Sequence, residues 1–108
     1  MPNFELFQIN ISAEDSRRFN DGEDVPRVDA WRDCLMGWYK RGLEGGFYEH
    51  VATIEAVDLD HVFEVGNIGP ESRINRLAKM HSVSVGDLIK DPDNKMWVVA
   101  SIGFEEVV

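Results

Sequence analysis

Residues 82 to 102 leave this chain little choice but to build a sheet. Val83 and Val85 alternate with Ser82 and Ser84, Gly86-Asp87 turns the chain, and Leu88-Ile89 resumes it. Asp91-Pro92-Asp93-Asn94 is dense in turn formers, and Met96 to Ile102 answers as the returning strand of a hairpin. Gly103-Phe104 interrupts that strand ahead of a final edge over residues 105–108. Near the N-terminus, residues 4–11 are rich in strand formers. Phe7, Ile9 and Ile11 would share one face of an opening strand. Residues 51–56 read as one more strand.

Between these segments the periodicity turns helical. Trp31, Leu35, Trp38 and Tyr39 fall at i, i+4, i+7 and i+8, the stripe of an amphipathic helix. Asp29 is placed to cap its start and Gly42 to end it, with Arg32, Asp33, Lys40 and Arg41 on the wet side. Ser12 followed by Asp15 is a helix-start signal for a short helix at 13–19, and residues 20–27 read as an exposed loop. Asp58 would cap another short helix whose Leu59, Val62 and Phe63 face inward, closed by Gly66 and Asn67. Gly69-Pro70-Glu71 predicts a further short helix, because proline suits the first helical position. Its buried side would be Ile74, Leu77 and Ala78, leaving Arg73, Arg76 and Lys79 on the open side.

The fold class predicted is α+β: a single domain with a small, mostly antiparallel sheet, one main amphipathic helix and short helices. The C-terminal hairpin would lie at the sheet's centre. A partly open small β-barrel is the alternative. The 108 residues suffice for a core without disulfide or metal staples, with a folded surface of about 6,100 Å² expected against about 17,800 Å² unfolded.

Composition narrows the function classes. Eleven Lys and Arg against 20 Asp and Glu give a net charge of -9, a poor match for nucleic-acid phosphate. No apolar run approaches the ~20 residues of a membrane span, and no signal peptide is expected from the first residues. A cytoplasmic protein is the expectation. The lone Cys34 excludes an intrachain disulfide framework. His50, His61 and His81 show no ligand spacing, so no metal and no cofactor are expected. Neither Cys34 nor Ser82 and Ser84 sit in a nucleophile motif, which points away from an enzyme.

The C-terminal half resembles a known family. Residues 59–68 are similar to the short "LFE-x-x-N" helix of the YodL-like domain family, and residues 81–89 to its "SLSVGDVV" signature. Residues 97–104 are similar to its "yyVDSxGF" ending. Ala100 stands where that family usually has aspartate, and the link over 68–81 is longer than its usual one. The resemblance implies a protein of phages, plasmids or integrative elements, with no catalytic residues to carry over.

Two charged groups are candidates for partner binding. Glu14, Asp15, Asp21, Glu23, Asp24 and Asp29 crowd one stretch, while Arg73, Arg76 and Lys79 gather elsewhere. An acidic face can imitate DNA and attract a DNA-directed enzyme. Gly86, Asp87, Gly103 and Phe104 are expected to be architectural: glycines for unusual backbone angles, the aspartate accepting from turn amides, the phenylalanine plugging the core. The functional expectation is a non-enzymatic accessory protein of a mobile element that binds a host protein, in its sharper form inhibiting a DNA-directed enzyme or a defence system. The alternative is a module that self-associates through Trp31, Trp38 or Trp97.

Overall fold

The structure is a computed structural model that describes residues 1–107. Its elements run β1 (Asn3–Gln8), α1 (Ala13–Asn20), α2 (Pro26–Leu35), α3 (Lys40–Glu44), β2 (Glu49–Glu55) and α4 (Leu59–Asn67). Then come a single 3-10 turn (Glu71–Arg73), β3 (Ile74–Arg76), β4 (Leu88–Lys90), β5 (Met96–Val99) and β6 (Phe104–Glu106). The six strands form one antiparallel sheet in the order β3-β2-β1-β4-β5-β6. The fold is therefore α+β, as predicted. The sheet stays open, with β3 and β6 as its edges, which removes the barrel alternative. The accessible surface is 6362 Å², close to the size expectation.

The opening strand buries a different face from the one its sequence indicated. Phe4, Leu6 and Gln8 point inward, and the strand ends at Gln8, before Ile9 and Ile11 can join the Phe7 face. Phe4 and Leu6 share a core with Ile54, Ile89 and Val99, and Val62 and Val65 of α4 cover it. Register slips between Leu6 and Phe7: Leu6 pairs with Ala52 but Phe7 with His50. This bulge lets the consecutive residues Val51 and Ala52 both be fully buried. Phe63, expected inside, is 42% exposed, and Val65 takes that place.

A second, smaller core closes one end of β1. Ile9, Ala30 and Cys34 form it, with Trp31, Phe47 and Tyr48 packed around them. The main helix is shorter than its stripe predicted and starts earlier. Val25 is its N-cap, Pro26 opens it, and Asp29 lies in the first turn rather than at the cap. It ends at Leu35 because Gly37 adopts φ 82°. The Gly37 amide then bonds the Cys34 carbonyl at 2.8 Å, and the Trp38 amide bonds that of Asp33 at 3.0 Å, a Schellman closure. Gly42 sits buried inside α3, against Ile9 and Tyr48, and ends nothing. Trp38 and Tyr39 consequently belong to the link between two helices.

Other expectations also shift. The segment 70–79 is not a helix but the 3-10 turn followed by β3, so Arg73, Arg76 and Lys79 share no helical face. Residues 77–87 form no strand; they run irregularly into β4. The returning strand stops at Val99, leaving Ile102 91% exposed on the turn to β6. The short helix at 13–20 has the predicted start, with Ser12 and Asp15 bonded reciprocally. Asp58 caps α4 by accepting from the His61 amide at 2.9 Å.

Candidate functional site

The acidic stretch is partly neutralised by its own arginines. Glu14 and Asp21 both reach Arg17 at 3.9 Å, and Glu23 pairs with Arg18 at 3.3 Å. Asp15 is occupied in the α1 cap. Among the described residues, Asp24 and Asp29 have no ion-pair partner. Two of the three basic residues have side-chain partners, while Lys79 is tied only through its backbone. Arg76 forms a two-pronged pair with Glu71, Arg73 donates to the Met1 sulfur, and the Lys79 carbonyl accepts from the Asn10 side chain at 2.8 Å.

The end of α2 carries three large exposed apolar side chains within four residues. Leu35 is 57% exposed, Met36 65% and Trp38 60%. The early helix end puts them there, because a helix continued to residue 41 would have carried the stripe onward along one face. Asp29, Arg32, Asp33 and Arg41 rim this knuckle, with Arg41 paired to Asp33 at 3.2 Å. Arg32 lies over the Phe19 ring, 5.4 Å from its centroid. Trp97, by contrast, is half-buried, and its indole N–H donates to Asp91 at 2.9 Å. Its polar group is committed to the hairpin turn.

Beside the knuckle lies a cleft of about 330 Å³ between α2 and the segment 81–87. Its walls are Ile9, Trp31, Leu35 and Val85, and its polar lining is Cys34, His81, Ser84 and Asp87. Gly86 seats this segment on α2. It has φ 90°, and a Cβ there would come within 2.3 Å of the Cys34 carbonyl oxygen. The Gly86 carbonyl in turn accepts from the Tyr48 hydroxyl at 2.5 Å.

Asp87 is 4% exposed, and one of its oxygens does architectural work. Its Oδ2 accepts from the Ser84 amide and from the Gln8 side chain, each at 2.9 Å. The aspartate thus accepts from a turn amide as predicted. The sequence gives no sign of Gln8. That residue is fully buried; its amide nitrogen also donates to the His81 carbonyl at 2.9 Å, and its oxygen accepts from the His81 amide at 3.1 Å. A glutamine following Phe7 in a strand-forming run looks like a solvent-facing position. Only the 81–87 segment folded against it supplies the backbone groups that satisfy it.

The electrostatics of the cleft follow from burial. Desolvation pushes Asp87 up to about 6, against the lowering pull of the bonds from Ser84 and Gln8 and of nearby His81. Burial also raises the Cys34 thiol and the Tyr48 phenol above their ordinary values, so both stay protonated. A protonated thiol with no base bonded to it is no nucleophile. Gly103 has φ 73°, and Phe104, in the edge strand β6, packs only partly buried against the main core.

The histidines serve separate places. His61 accepts from the Val57 amide at 3.0 Å beside the α4 cap, and His50 stacks on Phe7 with ring centroids 5.0 Å apart. Among the described residues no group of three or more His, Cys, Asp or Glu is placed to hold a metal, and no helix is long and apolar enough to cross a membrane. No family model, curated protein sequence or solved structure matches the chain.

Proposed function

We propose that this chain is a non-enzymatic accessory protein of a phage or other mobile element that acts by binding another protein. The observation that carries the reading is the knuckle at the end of α2, where Leu35, Met36 and Trp38 are all more than half exposed. Large apolar side chains gathered at one place lower the free energy when a partner covers them, and aromatic anchors with a polar rim suit such contacts. The resemblance of residues 59–104 to the YodL-like family supplies the mobile-element setting. Arg17 and Arg18 pair with three of the six acids, which favours the knuckle as the contact, with Asp24, Asp29 and the net charge as attraction for a basic partner.

Affinity capture from a bacterial lysate tests this, comparing the natural chain with a Leu35→Ser, Met36→Ser, Trp38→Ser variant. The natural chain should retain a partner that the variant loses, and reversing Asp24 and Asp29 should weaken capture without abolishing it. Equal retention by the variant would remove the knuckle as the contact surface. A second reading is self-association, favoured by one observation: Asp29 and Arg32 lie three residues apart on α2, with no ion-pair partners among the described residues. A two-fold axis through α2 would set each against its opposite on a second copy. Light scattering separates the two. A mass of one chain across a wide concentration range excludes the second reading, and a dimer lost in the knuckle variant would replace the first.

A further inference from the structure

The polar side chains lining the cleft beside α2 share a property that singles out a ligand: their protons are spent inward. The Tyr48 hydroxyl donates to the Gly86 carbonyl, so the Cys34–Tyr48 contact at 3.1 Å uses the thiol proton, leaving lone pairs on sulfur. The Ser84 hydroxyl donates to the Ser82 carbonyl at 2.9 Å. His81 Nδ1 lies 2.9 Å from that same carbonyl and donates to it, so that proton too is spent inward. Asp87 accepts two bonds at Oδ2, while its Oδ1 has no hydrogen-bond partner among the described residues. The lining therefore offers acceptors and one buried carboxylate within apolar walls. Such a site calls for a cationic donor on an apolar stem.

We propose that this cleft receives a lysine side chain of the partner protein, its ammonium at Asp87 Oδ1 and its stem along Trp31, Leu35 and Val85. Lysine fits better than arginine because one free carboxylate oxygen cannot engage both prongs of a guanidinium, whereas an ammonium carries three donors for separate acceptors. A volume of about 330 Å³ is at the small end for ligand sites and leaves room for a lysine side chain. A net charge of -9 favours the approach of a basic partner. Burial leaves the ionised Asp87 poorly solvated, so an arriving ammonium relieves a cost already present in the fold. The inference rests on the protein-binding reading above in taking the ammonium from a protein.

The probe is N-acetyl-lysine N-methylamide, titrated by NMR while following the Trp31 indole and the amides of residues 81–87. It should shift these signals, and the norleucine analogue, which lacks the ammonium, should bind about tenfold or more weakly. Asp87→Asn should lose the lysine probe to a similar degree. Equal binding of the lysine and norleucine probes to the natural chain overturns the proposal, and this comparison needs no variant to fold. The arginine analogue binding more tightly would also overturn it. Capture of a partner undiminished by Asp87→Asn, with that variant's fold intact by NMR, would sink the lysine pocket while leaving the protein-binding reading standing. Loss of capture by neither variant would sink both.

Discussion

Asp87 carries the clearest consequence at the scale of single residues. Its folded value, about 6, lies above the ordinary 3.8, so between those values the folded chain holds a proton that the unfolded chain has released. Stability therefore rises as pH falls through 6, by about 1 kcal/mol between pH 7 and pH 5 and about 3 kcal/mol in full. The groups facing Asp87 are Gln8 from β1, His81 and Ser84 from its own segment, and Cys34 and Tyr48 held neutral across the cleft. Thermal melts should show the natural chain gaining several degrees from pH 7 to pH 5 relative to Asp87→Asn. Parallel pH profiles for the two would assign the gain to other carboxylates. Gly86 gives a second test. Gly86→Ala adds both a strained φ and a methyl driven into the Cys34 backbone, and should cost about 3 kcal/mol or more in urea unfolding. The need for glycine and for an amide-accepting aspartate is readable from the adjacent pair Gly86-Asp87. Gln8 is not, because its partners lie 73 to 79 positions away.

At the scale of elements, local chemistry was legible wherever a segment settles its own structure. The α1 capping box, the Asp58 cap and the turn at 91–94 all close through neighbours in sequence; Asp91 alone accepts from the amides of Asp93 and Lys95. The rest is decided at a distance or by a single glycine. Residues 74–76 pair with β2 instead of coiling, since Ile54 and Ala52 offer ladder partners that a short isolated helix cannot match. Trp31, Leu35, Trp38 and Tyr39 have helical spacing, but Gly37 takes the left-handed conformation between them. Gly37→Ala should cost about 1–2 kcal/mol, the φ penalty alone, because its added methyl would lie at an ordinary 3.6 Å from Val85. That is less than the cost at Gly86, where φ is similar and space is absent. Equal losses at the two glycines would mean that contact with Cys34 contributes nothing.

At the scale of the whole molecule, the fold separates its duties. The sheet and α4 bury one large core, and α2 and α3 close the far end of β1 over a smaller one. That second core is too small to cover α2 on all sides, which leaves the knuckle and the cleft beside it open. The fold class was legible because strand-forming runs and turns dominate the sequence. The exposed knuckle was not, since it depends on where α2 stops. Net charge pointed to an acidic face, yet arginines within the same stretch hold half of those acids. The central claim is that a partner covers the end of α2. Photo-cross-linking in bacterial cells tests it, with a benzophenone amino acid replacing Trp38 in one variant and the still more exposed Ile102 in another. A discrete protein adduct from position 38 and none from 102 is the predicted result. An adduct from 102 alone, or from neither position, would contradict the claim.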